Sequence, residues 1–529
     1  MKKTRVYHPF LFALIPILYA YAHNLKKFPL SLAEIILPLI LSLITASLLF
    51  GILALLLKDQ ARAGLIATVF IFVFYSFGPA YNSVRYLLFG SLNHILLIIT
   101  SLLMVLLISG LLKYPREIKY LTRLLNSIAL ILLAMNSSLV IWNSFQNTKF
   151  KIRNRSFVSM EAKSSPDIYY LILDGYGRAD ILKDIYNYDN SEFIGFLQKR
   201  GFFVATESRA NYCQTILSLA SSLNFSYIDR QVQDFSPTSD NRNPLIKLIR
   251  SSQVQDFLRS RGYITLAFSS GYSGTELRNA DIYLDPVNSL SEFHTLLLNM
   301  TPLSFLIGRS EGSSFLDSHR RRILSTFDKL ASLKTSTRPR FIFAHILAPH
   351  PPFVFEENGE TNPAAKYLLY SDGDHFHRSN RKGIEEYIDN YKKQITFITK
   401  KTEETIDSIL TSAKEKPVII IQADHGPGAF LHWESVEATY HKERLSILNA
   451  YYFPNGDYDI LYKQITPVNS FRIIFNRFFG TDYALLGDLS FYSRWSLPFK
   501  FYEVSQSLLL GSPPTSRVSQ KTKTPTGKG

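Results

Sequence analysis

The chain has 529 residues, 46% of them hydrophobic, and a formal net charge of +15. That length holds a membrane part plus one large soluble domain with its own core, and the single cysteine, Cys213, excludes an intrachain disulfide and with it a small disulfide-built ectodomain. The Lys and Arg residues are scattered without a long basic run, which argues against nucleic acid and fits a surface facing anionic lipid headgroups or phosphorylated substrates.

Apolar stretches come first in chain order, at 8–24, 32–57, 63–83, 93–112 and 122–142. Each approaches the ~20 residues that cross a hydrocarbon core. The first begins close to Met1 and no small-residue cleavage site follows it, so it reads as an anchor and not a signal peptide. Lys2, Lys3, Arg5, Lys58, Arg62, Lys113, Arg116, Lys119 and Arg123 flank one side of these segments, and Lys26, Lys27 and Arg85 the other. This bias places the N-terminus in the cytoplasm, and five crossings then put everything after residue 142 outside the cytoplasmic membrane. A transporter would carry ionisable residues within its spans. Apart from Glu34 almost none is present, which favours a membrane anchor.

Residues 1–142 therefore read as a five-helix transmembrane domain and 143–165 as a polar linker ending at Pro166. Residues 166–510 read as the catalytic domain, and 511–529, poor in apolar residues, as a disordered tail. Within 166–510, strands are expected over Asp167–Asp174, Tyr263–Ser269, Arg340–Leu347 and Pro417–Asp424, with helices at 190–200, 246–261, 317–333 and 384–413 between them. Continuous apolar strands alternating with helices predict an α/β domain with a mostly parallel central sheet, buried on both faces.

Such folds gather function at the carboxyl ends of strands. Asp174-Gly175, His350 and Asp424-His425-Gly426 lie at or just past such ends. A carboxylate beside an imidazole at a rigid strand end can reach one cation if the chain turns, and Gly426 eases that turn. The blander reading is a capping Asp with a hydrogen-bonded His. Thr215 follows a polar cluster, Asn211-Tyr-Cys-Gln, and opens a helix, where a hydroxyl meets favourable potential for an anion. It would equally serve as an ordinary N-cap. His345 shares a strand face with Phe341, Phe343 and Leu347 and reads as a buried, hydrogen-bonded histidine, whereas His350 sits in a Pro-rigidified loop where it can be aimed at a ligand. His432 and His441 are weaker candidates, and His375 and His377 read as solvated. Cys213 has no basic partner beside it and reads as a packed thiol.

A strand ending in Asp174, a helix-opening Thr215, the His350 loop and Asp424-His425-Gly426 together resemble the alkaline phosphatase/sulfatase superfamily. The layout is similar to lipoteichoic acid synthases and lipid A phosphoethanolamine transferases, which carry five transmembrane helices before an extracytoplasmic sulfatase-like domain. The resemblance implies one divalent metal ion (Mn, Mg or Zn) held by Asp174, Thr215, Asp424 and His425. It makes Thr215 the nucleophile of a covalent phospho-threonine and His350 the contact to substrate phosphate or leaving group, with Arg278 a further phosphate contact. Cys213-Gln-Thr-Ile-Leu lacks the Pro and Arg of a formylglycine sulfatase motif, so sulfate-ester hydrolysis by that route is not expected.

The function expected is transfer of a phospho-headgroup from a membrane lipid to an envelope glycan or lipid acceptor. A phosphodiesterase or other ester hydrolase would use the same site with water as acceptor. A non-catalytic envelope protein that keeps the fold for binding or assembly is the third reading.

Overall fold

The computed structural model describes residues 5–87, 110, 115–149, 166–230, 236–286, 291–304, 315–365, 372–377 and 381–506. The chain divides into two compact units, residues 1–151 with 290–315, and 152–289 with 316–529.

The first unit is helical: α1 (His8–Leu25), α2 (Ala33–Leu57), α3 (Gln60–Leu87) and α4 (Pro115–Lys149). Among the described residues, three stretches, Ala33–Leu57, Gln60–Ala80 and Ile118–Phe145, are long and apolar enough to cross a membrane. Helix α1 coincides with the first expected span but is not among those three. The expected span at 93–112 falls almost wholly outside the described residues, and the tail at 511–529 wholly so. Helix α4 continues through residues 143–149, the start of the expected linker.

His8 opens α1 inside the first expected span. Its ring Nδ1 lies 2.6 Å from Thr68 Oγ1, and its backbone N–H donates to Asn126 Oδ1. The bundle therefore holds an imidazole that a reading limited to Glu34 passes over.

The same unit contains a segment drawn from far along the sequence. Residues 292–299 form a short helix whose Phe293 and Leu297 pack with Ile17, Tyr21, Leu25 and Ile35. Ser291 Oγ donates to Glu34 Oε2 at 3.1 Å, and the Gly78 N–H donates to the Met300 carbonyl at 3.0 Å.

The second unit is built on a seven-stranded sheet in the order β2-β7-β6-β1-β5-β3-β4. Its strands are β1 (Ile168–Leu173), β2 (Phe203–Val204), β3 (Ile264–Phe268), β4 (Ile282–Leu284), β5 (Arg340–Ile346), β6 (Val418–Gln422) and β7 (Asn449–Tyr452). β6, β1, β5, β3 and β4 run parallel, while β7 is antiparallel to both β6 and β2. Every residue of β1, β5 and β6 is buried, as helices on both faces of a parallel sheet require. A separate hairpin pairs β8 (Phe491–Arg494) with β9 (Leu497–Glu503).

The four expected strands are β1, β3, β5 and β6, each within a residue or two of its expected ends. The expected helix at 246–261 is two helices, Asn243–Arg250 and Gln253–Ser260. Ser252 breaks it by forming a capping box with Gln255, which satisfies donors at a new helix start.

Candidate metal centre

The three central strands end side by side, and their carboxyl ends carry the chemistry. β1 runs into Asp174-Gly175, with Gly175 at φ +74°, a conformation that favours glycine. The Asp174 N–H donates to the Ile346 carbonyl, and the His350 N–H to the Asp174 carbonyl, each at 3.0 Å, so β1 and the loop after β5 are laced together. Gln394, on the helix Arg381–Ser412, donates to the Pro349 and His350 carbonyls and accepts from the Val354 N–H, which fixes that loop. Past β6, the chain turns at Gly426 for a steric reason and not a positive φ. A Cβ there would stand 2.1 Å from the Glu443 carbonyl oxygen.

Thr215 is the first residue of the helix Thr215–Leu223. It is not the N-cap. Gln214 holds that place in extended conformation, and no side chain caps the helix start. Thr215 Oγ1 lies 3.1 Å from His425 Nε2.

Three histidines turn their Nε2 atoms inward because their Nδ1 atoms are engaged elsewhere. His425 Nδ1 lies 2.9 Å from the Gly426 carbonyl and His350 Nδ1 lies 2.6 Å from the Pro351 carbonyl. A carbonyl only accepts, so Nδ1 carries the proton in both. His345 Nδ1 is 2.8 Å from Thr275 Oγ1.

Burial, with Arg444 nearby, lowers the His425 imidazole to about 4, so its Nε2 presents a bare lone pair. That lone pair lies 3.5 Å from Asp174 Oδ1 and 3.4 Å from Asp424 Oδ2. His345 Nε2 is 3.2 Å from Asp174 Oδ2. Asp174, His350 and His425 present ligand atoms within 4.8 Å of one another, and so do Asp174, His345 and Asp424.

The residues present fit a divalent cation. Asp174 Oδ1, Asp424 Oδ2 and His345 Nε2 are buried with no hydrogen-bond partner. Carboxylate lone pairs buried without a partner are costly unless a positive charge sits among them. Mixed oxygen and imidazole donors suit Mn, Mg or Zn alike.

His350 behaves differently from His425. Burial alone would lower it, but the Asp174 and Asp372 carboxylates override that and hold it at about 9. Its Nε2 is 3.4 Å from Asp372 Oδ2, and Asp372 is held well below the ordinary carboxylate range by Arg444 and His350 against the cost of its burial.

The structure thus brings Asp174, Thr215, His350, Asp424 and His425 together. The His432 backbone is fastened to Thr439 and Tyr492, and the His441 ring packs 5.3 Å from that of Tyr492. Arg278 is half exposed, 3.9 Å from Glu276. Cys213 is fully buried and its thiol is pushed up to about 11 by that burial, in keeping with a packed side chain.

Sequence reasoning missed three contributors. His345 is buried as expected, yet it faces Asp174 and not only the core. Asp372 lies in a Ser/Asp/Gly-rich stretch that reads as solvated, but it is 5% exposed. The available signal was a further Asp-Gly pair, since a Cβ on Gly373 would stand 1.7 Å from the Gly428 carbonyl oxygen. Arg444 carried no motif at all.

No family model matches the chain. No curated protein matches its sequence. Solved structures do match. The zinc complex of the C-terminal periplasmic domain of EcEptC from Escherichia coli is 12% identical over 62% of this chain and 87% of its own, with a TM-score of 0.39. The integral membrane lipooligosaccharide phosphoethanolamine transferase A (EptA) from Neisseria meningitidis is 11% identical over 72% of this chain and 68% of its own, TM-score 0.39. The phosphonate monoester hydrolase of Agrobacterium radiobacter is 11% identical over 62% and 80%, TM-score 0.37. These neighbours are alkaline phosphatase/sulfatase superfamily enzymes. It is the superfamily that the sequence resembles.

Proposed function

We propose that this chain is a multi-pass protein of the cytoplasmic membrane whose extracytoplasmic domain transfers a phospho-headgroup from a membrane lipid to an envelope glycan or lipid. The observation that carries the reading is the placement of Thr215 Oγ1 at an uncapped helix start, 3.1 Å from the bare Nε2 of His425 and beside two buried carboxylates with unsatisfied oxygens.

Asp174, Thr215, Asp424 and His425 would hold one divalent cation, which when bound supplies Lewis-acid stabilisation of charge on phosphate and hydroxyl oxygens. Thr215, having released its proton to solvent, attacks phosphorus as the alkoxide; the Oγ–P bond forms and the P–O bond to the lipid alcohol breaks. His350, its Nε2 3.4 Å from Asp372 Oδ2, would give a proton to the departing oxygen. The acceptor hydroxyl then returns a proton to His350 and attacks phosphorus, breaking the Oγ–P bond and restoring Thr215. The N–H groups at the start of the helix Thr215–Leu223 suit the anionic phosphoryl oxygens in both steps.

Full-length protein incubated with a headgroup-labelled phospholipid tests the reading. Label should move to an envelope acceptor, and Thr215→Ala should stop it. Free headgroup without labelled acceptor would replace transfer by hydrolysis, and a Thr215→Ala protein with its cellular role intact would replace both by a binding role.

A further inference from the structure

Arg444 is 2% exposed and lies on the short helix His441–Leu445. Its guanidinium points three ways. Nε donates to the Cys213 carbonyl at 2.9 Å, Nη1 to the Gly426 carbonyl at 3.3 Å, and Nη2 lies 2.8 Å from Asp372 Oδ2. The Trp433 ring covers it at 5.0 Å. Each contact is a short step from a group used above: Cys213 stands two residues before Thr215, Gly426 directly follows His425, and Asp372 holds His350.

Those three segments come from 213–215, 372 and 424–426 and share no strand, so the sheet alone does not fix their spacing. A planar fork with donors in fixed directions does. We infer that Arg444 is a positioning residue, setting the nucleophile, the His425 loop and, through Asp372, the His350 ring in the mutual geometry that in-line displacement needs. In-line attack is steep in distance and angle, so a displacement of about 1 Å costs on the order of 10²-fold in rate. Asp372 takes part as the element that carries this placement to His350. The inference rests on the reading of Thr215 as nucleophile.

The test uses purified full-length protein loaded with Mn or Zn, bis(4-nitrophenyl) phosphate as probe, and the variants Arg444→Lys and Arg444→Gln. Lysine keeps a cation for Asp372 but cannot also reach the Cys213 and Gly426 carbonyls. Expected for Arg444→Lys are wild-type cation stoichiometry, a cooperative melt, KM within about twofold and kcat per folded protein down at least tenfold, with Arg444→Gln lower still. Wild-type kcat in a folded Arg444→Lys overturns the positioning role while leaving Thr215-dependent turnover in place. Recovery of both variants only as unfolded protein also overturns it, in favour of a purely structural role. A wild-type protein whose turnover does not depend on Thr215 overturns the nucleophile reading and this inference with it.

Discussion

Thr215 Oγ1 and His425 Nε2 face each other at 3.1 Å, although 210 residues separate them in sequence. The hydroxyl comes from a helix start and the imidazole from a strand end, and His425 is held in a single tautomer by the Gly426 carbonyl. A hydroxyl so placed is expected to be indispensable. Thr215→Ala should lower turnover by at least about 10³-fold without lowering the melting temperature, and Thr215→Ser should retain part of the rate. Steady-state kinetics beside thermal melting decide this, and an active Thr215→Ala protein ends the covalent route.

Removal of the cation should reach beyond activity. With Asp174 and Asp424 left buried without compensation, chelator-treated protein should melt lower than metal-loaded protein, and added metal should restore the melt in a concentration-dependent way. Asp174→Asn should weaken that restoration. Calorimetric titration of metal into wild type and variant measures it directly, and equal affinity in both would remove Asp174 from the ligand set.

His350 should matter in proportion to how badly the leaving group needs a proton. His350→Gln is expected to cost about 10²–10⁴-fold with an alkyl leaving group and far less with 4-nitrophenolate, which departs unprotonated. A uniform loss across both substrates would point to phosphate binding and not to proton donation.

Gly426→Ala should be among the most damaging single substitutions in the α/β unit. Its Cβ would meet the Glu443 carbonyl at 2.1 Å and the Ser446 carbonyl at 2.8 Å, both backbone atoms that cannot swing aside. A loss of more than about 2 kcal/mol is expected, with metal binding weakened in step because His425 is the preceding residue. Denaturant unfolding followed with and without metal separates the two effects.

Glu443 gives the fold a pH dependence. Burial raises its carboxyl to about 7, against the donors of Tyr186, Phe430 and Ala429 that favour the charged form. The unfolded chain ionises first as pH rises, so this group's contribution is fully present below its ordinary value near 4.5 and is lost as pH passes about 7. The loss is on the order of 3 kcal/mol. Glu443→Gln should therefore flatten the fall in melting temperature between pH 5 and pH 8, by roughly 5 °C relative to wild type. Parallel curves for the two proteins would remove Glu443 as the source.

Much of the centre was legible in the chain because an unbroken apolar run fixes where a buried strand ends. Ile168–Leu173 and Val418–Gln422 read as interior strands, which puts Asp174 and Asp424-His425 at the carboxyl ends of a parallel sheet. Thr215 was marked by the change from polar cluster to aliphatic helix. The hydropathy of the N-terminal segments likewise stands on composition alone, since three of them form helices long and apolar enough to span.

What only the tertiary structure decided are contacts that no local pattern encodes. His345 lies on a strand whose residues are buried on both faces, so periodicity could not say that its Nε2 meets Asp174. Asp372 sits in a polar loop, and only the close approach of Gly373 to Gly428 carries it inside. Arg444 is 231 residues from the Cys213 carbonyl it holds, and residues 292–299 leave the sequence of the α/β unit to pack among the N-terminal helices. The chain's own pattern set the strand ends and what they carry; long-range packing set how the nucleophile, the acid and the ligands are spaced.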